Sequence, residues 1–311
     1  METARPSPTD AKDIYQLIAV RDTALVGKPD CTPDDVDDML TEPGVDLDSD
    51  AWLVREGGRL TGFGRAYRRG SGQHADVEVQ ALTDTATQWL WDAVTARAGE
   101  LVGACGDLHA GIFPQDAVSR AAAETRGFAH TTSFHRMRID HVAPEPAFLP
   151  GVTVRRGSPD DDELLRTAHR VREEGMADHY AHTAETFEEW ADRVEASSAY
   201  DWSQILVAYV HDRPAAVLIG TDHFASDENC GYVMTLAVLP AFRGRGLGKL
   251  LLRRAFEADA KRGRVGTILH VDSNNTTPAL DLYLSVGMRP ILEIQMWRLS
   301  LSEGSPSQSE G

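Results

Sequence analysis

Long apolar runs, positive charge and cysteine are all scarce in this chain of 311 residues. No stretch approaches the roughly 18 consecutive apolar residues that would cross a bilayer, so no membrane-spanning helix is expected. The opening METARPSPTDAKD lacks the apolar centre of a secretory leader, and the apolar stretch 14–20 is short and follows acids. Lysine and arginine together number 31 against 48 aspartates and glutamates, a net charge of −17. That balance argues against a broad basic face for nucleic acid and fits a soluble cytoplasmic protein. The three cysteines, Cys31, Cys105 and Cys230, are widely spaced and odd in number, which speaks against a disulfide framework. No metal-ligand spacing ties them to the histidines, so no metal is expected.

What is present is enough apolar residue, 42% of the chain, to build real cores. The length suggests two domains. Residues 1–8 and 301–311 read as disordered ends. Asp10–Leu25 has helical spacing, and Thr32-Pro33 opens a second helix to about Leu40. The acids from Asp34 to Asp50 read as a solvated face and loop. Strands follow at 51–55, 59–67 and 74–81, then a helix over 84–98, a strand at 107–112, a helix over 115–126 ended by Gly127, and a strand near 132–139. Residues 140–151, with Pro144, Pro146 and Pro150, read as a linker. The order then repeats: a strand at 152–156, helices over 158–174 and 183–196, and strands at 204–210, 214–224 and 232–238. A helix over 247–261, a strand at 266–271, a helix over 278–286 and a closing strand pair in 289–299 complete it. Gly127-Phe128 and Gly287-Met288 mark matching places in the two halves.

Between the strand 232–238 and the helix that opens at Leu247 lies Arg243-Gly244-Arg245-Gly246-Leu247-Gly248-Lys249. Glycines without Cβ atoms let several N–H groups converge, and a helix N-terminus adds partial positive charge, so this join is expected to cradle phosphate oxygens. It is not a nucleoside-triphosphate loop, because Leu250 rather than serine or threonine follows Lys249. It also lacks the setting of a dinucleotide fingerprint, which comes early in a βαβ unit with an acid downstream. A second segment, Asn275-Thr-Thr-Pro-Ala-Leu-Asp-Leu-Tyr283-Leu-Ser-Val-Gly287-Met288, makes sense as a capped helix stopped by glycine. By that reading Tyr283 is a core aromatic and Asn275 a helix-capping residue.

The spacing R-x-x-G-x-G, with N-x-x-x-A-x-x-L-Y-x-x-x-G-M behind it, resembles the GNAT acyltransferases. The resemblance covers residues 152–300 through both motifs and residues 9–139 by architecture only. It implies an α/β fold of two tandem GNAT domains, each a mostly antiparallel mixed sheet flanked by helices. Two-domain, mycothiol synthase-like members of that family are the most similar. The resemblance further implies an acetyl-CoA-dependent N-acetyltransferase with its chemistry in residues 152–300. Arg243, Gly244, Arg245, Gly246, Leu247, Gly248 and Lys249 would hold the pyrophosphate. Leu236, Ala237 and Val238 would hold the pantetheine, with a backbone N–H of Leu236 or Ala237 polarising the thioester carbonyl. Asn275 would contact CoA near the pantetheine, and Tyr283 would protonate the departing thiolate.

Many GNATs place a glutamate base early in the fourth strand, and the matching position here is Tyr232. An unshifted tyrosine, with a pKa of ~10, is a poor base. Glu228, Asp222, His223, His270 and Asp272 stand as alternatives through water. The first half has neither arginine nor glycine after its strand 74–81, and Ala123 stands where Tyr283 would, so it is expected to be a degenerate copy. The acceptor pocket is expected around 173–190, where Asp178, His179, Tyr180 and His182 are candidates, with a solvated loop and Tyr180 and Trp190 as core packing the other reading. A small-molecule amine is the expected partner, with no nucleic acid or membrane, in a monomer or homodimer. A non-catalytic acyl-CoA-binding or sensing protein remains the alternative, as does an acetyltransferase that protects against an amine antibiotic.

Overall fold

A computed structural model describes residues 1–42, 44–68, 73–142, 148–177, 184–197, 199–273 and 279–301. By contact density the chain forms two compact units, Met1–Ser133 with the segment from Glu293 onward, and Phe134–Leu292.

In the first unit the chain runs through β1 (Glu2–Ala4), α1 (Ala11–Val26), α2 (Pro33–Thr41), α3 (Leu47–Asp50), β2 (Ala51–Glu56), β3 (Arg59–Tyr67) and β4 (His74–Ala81). It continues with α4 (Asp84–Val102), β5 (Asp107–Ile112), α5 (Ala117–Thr125) and the start of β6 (Ala129–Asp140). Ile14, Leu17 and Ile18 recur at helical spacing and bury one face of α1 against Val36, Leu53 and Phe63. Gly27, at φ 86°, ends that helix in the left-handed region. The Thr32 side chain accepts from Asp35 N–H while Pro33 occupies the first turn, which sets the start of α2. On the other face Trp91, Leu90 and Val94 of α4 pack with Ala110 and Phe128. Residues 1–8 are not the disordered end that their polarity suggests. Glu2–Ala4 pairs antiparallel with Leu53–Arg55, and the Arg5 guanidinium donates to the Ala51 carbonyl at 2.8 Å and lies 4.4 Å over the Trp52 ring. Backbone pairing supplies the order there, and three exposed residues give it no hydrophobic signature.

The second unit contains β7 (Val152–Arg156), α6 (Asp162–Met176), α7 (Phe187–Ala196), β8 (Ile205–Val210), β9 (Arg213–Thr221) and β10 (Cys230–Val238). After them come α8 (Leu247–Lys261), β11 (Gly266–Asp272), α9 (Ala279–Ser285) and the start of β12 (Arg289–Ser300). Its sheet runs β7-β8-β9-β10-β11, antiparallel except for the β10·β11 pair. His211 and Asp212, at φ 48° and 61°, make the tight β8–β9 turn that a hairpin's twist favours. Leu247, Leu251, Leu252, Ala255 and Phe256 of α8 are buried against Val233, Leu269 and Val271. At roughly 1.5–3 kcal/mol per large apolar side chain, that face fixes the helix on the sheet.

The last strands change places relative to the sequence halves. Phe134–Asp140 of β6, expected to close the first half, pairs antiparallel with Asp272–Gly266 of β11 in the second unit. The end of the chain, Gln295–Ser300 of β12, pairs antiparallel with Ile112–Asp107 of β5 in the first unit. The expected closing strand pair in 289–299 is one continuous strand. Strand partnership is set by contacts remote in sequence, so alternation along 132–139 gives no hint of which sheet receives it. Within 140–151, residues 143–147 lie outside the described residues, as do 302–311 of the tail.

Candidate active site

The site begins where β10 leaves β11. The parallel pairing covers only Cys230–Val233 against Gly266–Leu269. On its other side β10 stays paired with β9 to Val238, but the register shifts between Val233 and Thr235, a bulge at Met234. A bulge bends its strand and increases the local twist, and here β10 diverges from β11 beyond it. The result is a cleft of about 560 Å³ lined by Tyr232–Val238, the glycine loop, Leu269–Val271 and Tyr283.

Strand alternation decides which main-chain groups face that cleft. Leu239 N–H donates to the Ala215 carbonyl at the end of β9. Two residues back, Ala237 points the same way, so the N–H and C=O groups of Leu236 and Val238 point toward the divergent side. The Val238 carbonyl there accepts from Arg243 Nε at 3.1 Å. Of the two residues expected to polarise a carbonyl, Leu236 faces the cleft with its N–H and Ala237 does not. Ala237 packs its side chain against α6, where a Cβ on Gly175 would come within 2.9 Å of it.

At the loop, Gly244 and Gly246 have φ of 74° and 80°, a region that only glycine enters readily, and a Cβ on either would meet nothing within 4 Å. Gly246 is the N-cap of α8 and supplies no side chain to cap it, so the first amides of that helix remain presented. Arg243, Gly244, Gly246, Leu247, Gly248 and Lys249 all line the cleft. Arg245 does not join them: its guanidinium donates to the Ala241 carbonyl at 3.3 Å and lies 5.5 Å from the Phe242 ring. Gly248 has another role, since a Cβ there would come within 2.9 Å of Leu282, and its absence lets α8 approach α9.

That approach brings Tyr283 into the cleft. The ring is buried, and burial with the neighbouring Tyr232 pushes the hydroxyl up to about 12, so it keeps its proton throughout the neutral range. Tyr232 also lines the cleft, its Oη 3.0 Å from His270 Nδ1. Burial is the main reason its hydroxyl too is pushed up to about 12. His270 is pulled down to about 3 by burial first and then by the charges of Arg136 and His223. Arg136 lies directly across the strand pair from His270 and donates from Nε to His270 Nε2 at 3.1 Å.

The other expected bases are engaged elsewhere. Glu228 accepts from Arg138 at 2.7 Å, and Asp222 pairs with Arg262 and Arg264. His223 stacks edge-on against Phe224, and neither it nor Asp272 lines the cleft. Asn275, Asp178, His179, Tyr180 and His182 lie outside the described residues. Trp190 is fully buried among His169, Phe187 and Trp202, a core residue. Among the described residues no group of three or more histidines, cysteines and acids could hold a metal ion, and no helix is long and apolar enough to cross a membrane. Sequence reasoning missed Phe134 and Arg136, which reach this site from β6. The alternation of Arg136 and Arg138 with Met137 and Ile139 was the available signal.

Residues 168–288, from the middle of α6 to just past α9, match the Acetyltransferase (GNAT) family. A mycothiol acetyltransferase of Nocardioides sp. is 30% identical over 215 residues, 61% of this chain and 70% of that protein. The chain belongs to the GNAT acetyltransferase family. The mycothiol acetyltransferase of Thermobifida fusca is 30% identical over 227 residues, 64% of each chain, so the match spans less than two thirds of that relative. A GCN5-related N-acetyltransferase structure from Sphaerobacter thermophilus superposes at TM-score 0.80 and 23% identity, covering 98% of this chain and 96% of its own. A tandem GNAT protein from the clavulanic acid biosynthesis pathway does so at 0.73 and 18%, covering 98% and 99%. These two likenesses show the fold, and they fit the mixed sheets and repeated element order of this GNAT chain.

Proposed function

We propose that the protein is an acetyl-CoA-dependent N-acetyltransferase for a small-molecule amine, with its chemistry in the second unit. The observation that carries this reading is the convergence, in one cleft, of the uncapped α8 amides, the unpaired edge of β10 and the protonated Tyr283. The open space over Gly244 and Gly246 fits a pyrophosphate, which accepts hydrogen bonds from N–H groups and is favoured by the positive end of the helix. Arg243 and Lys249 add charge at the rim. Acetyl-CoA would supply a thioester, whose carbonyl oxygen can take a bond from Leu236 N–H. The amine nitrogen bonds the carbonyl carbon, the C–S bond breaks, the sulfur takes a proton from Tyr283, and the product nitrogen releases its proton to water, from which Tyr283 is reprotonated.

Thiol release from acetyl-CoA across a panel of amines, with mass spectrometry of the products, tests this. The panel includes mycothiol-related amines because the curated relatives carry that name. Acetylated amine formed by the native chain and lost in Tyr283→Phe supports the reading. Acetyl-CoA binding in calorimetry with no product from any amine would favour a non-catalytic acyl-CoA sensor, the alternative suggested by tyrosine rather than a carboxylate at position 232.

A further inference from the structure

The second unit holds a buried polar chain that the proposed reaction does not yet use. Arg136 of β6, His270 of β11 and Tyr232 of β10 are joined in series by bonds of 3.1 and 3.0 Å. The guanidinium is held from two further sides: its Cζ lies 4.7 Å from the Phe224 ring centre, and Glu228 Oε1 lies 3.8 Å from Nη1. His223 and Phe224 close over Tyr232 with ring centres 5.8 and 5.2 Å away.

Donor and acceptor chemistry gives this chain a direction. A guanidinium only donates, so His270 Nε2 must offer its lone pair to Arg136. A neutral imidazole then carries its hydrogen on Nδ1 and donates it to Tyr232 Oη. The tyrosine oxygen, already accepting, keeps its own hydrogen for a partner in the cleft it lines. We propose that Arg136 is a positioning residue that locks His270 as a donor to Tyr232, so that Tyr232 presents an O–H to the cleft and cannot pass a proton back to His270. The inference rests on the acetyltransferase reading for its consequence, though not for its geometry.

The groups facing His270 are Arg136 from β6, His223 from the loop after β9 and Tyr232 from β10, with Tyr283 of α9 beyond. With that chain pointing outward, the tyrosine standing where a family glutamate would act is a hydrogen-bond donor to the acceptor molecule. The amine must then arrive neutral. Near neutral pH an amine of α-amino type, with a pKa of about 8, has a neutral fraction roughly two orders of magnitude above that of a lysine-type amine at about 10.4. The site therefore favours weakly basic amines that carry a hydrogen-bond-accepting atom for the Tyr232 O–H.

Nitrogen-15 NMR of the full chain labelled at histidine, with His270 assigned by its loss in His270→Gln, reads the lock directly and needs no acceptor. The expected spectrum shows Nδ1 protonated and Nε2 bare, unchanged from about pH 5 to 8. In Arg136→Met the fixed tautomer is lost and the hydrogen is shared between Nδ1 and Nε2, while burial still keeps the ring neutral. Arg136→Lys, which keeps a donor and a charge, retains the bare Nε2 and serves where the methionine variant does not fold. An Nε2 hydrogen in the native protein, or titration of its His270 near 6.5, overturns the proposal. For any amine of the panel that is turned over, the rising limb of kcat/KM against pH should follow the amine's own pKa and persist in Tyr232→Phe. A limb at one pH for all amines, abolished in Tyr232→Phe, also overturns it. Failure of every amine to react would count against the acetyltransferase reading, while the tautomer still decides the lock.

Discussion

The two units place a helix after corresponding strands, and those helix starts differ. After β4, α4 begins at Thr83, whose side chain accepts from Ala86 N–H, so the helix satisfies its own first turn. After β10, α8 begins at Gly246 with no capping side chain, and a Cβ there would meet nothing within 4 Å. The strands differ in the same sense. β4 pairs with β3 in unbroken register, whereas β10 carries the bulge at which it leaves β11. Where Tyr283 enters the second cleft, the first unit has Ala123, buried in its core. The same order of elements yields a helix start capped by its own side chain in one place and an uncapped glycine start in the other.

The largest effect should come from closing the cradle. Gly246→Glu forces a side chain into the left-handed region and sets a negative charge at the start of α8. Calorimetry should show acetyl-CoA affinity reduced by about 100-fold or more. Tyr283→Phe should lower kcat by about 100-fold while changing acetyl-CoA affinity less than about twofold, as expected for a general acid that does not bind the ground state. Gly248→Ala should push Leu282 and α9 away from α8, destabilising by about 1–3 kcal/mol and lowering kcat more than acetyl-CoA affinity.

Smaller effects sharpen the contrast from the other side. Thr83→Ala should cost about 1 kcal/mol in chemical denaturation and leave acetyl-CoA binding intact, as expected of a capping residue remote from the donor loop. Buried carboxylates also differ between the units. Burial raises Glu78 of β4, but the charge and hydrogen bond of Arg65, at 2.8 Å, outweigh it and leave the carboxyl below its ordinary value. Asp259 of α8 has the Thr267 hydroxyl at 2.5 Å as its close hydrogen-bond donor, and burial carries it up to about 6. Its folded-state value lies above the unfolded 3.8, so the native state binds the extra proton between these values. Stability contributed by that proton is present at low pH and is lost as pH rises through the window, by roughly 2–3 kcal/mol. Urea denaturation of Asp259→Asn should show that slope flattened.

Much of this contrast is written in the sequence. Helical spacing at Ile14, Leu17 and Ile18, the Thr32-Pro33 cap, and Gly27, Gly127 and Gly287 beyond their helices fix the element order locally. The glycine loop and Tyr283 are legible because short-range spacing encodes a helix start and a helix face. The exchange of Phe134–Asp140 and Gln295–Ser300 between units is not, since an alternating strand carries no label for its partner. Arg136 escaped notice for that reason, and with it the direction of the Tyr232 hydrogen bond. Tyr232 alone looks like a lost base, and only the cross-strand neighbour of His270 shows what it can donate.

We expect acetyl-CoA to bind on the second unit's loop and nowhere on its counterpart. Hydrogen exchange of the full chain with and without acetyl-CoA, read by mass spectrometry, tests it most directly. The account predicts slower exchange across Thr235–Lys249 and no change across Val77–Leu90. Protection at Val77–Leu90, or none at Thr235–Lys249 under saturating acetyl-CoA, would contradict it.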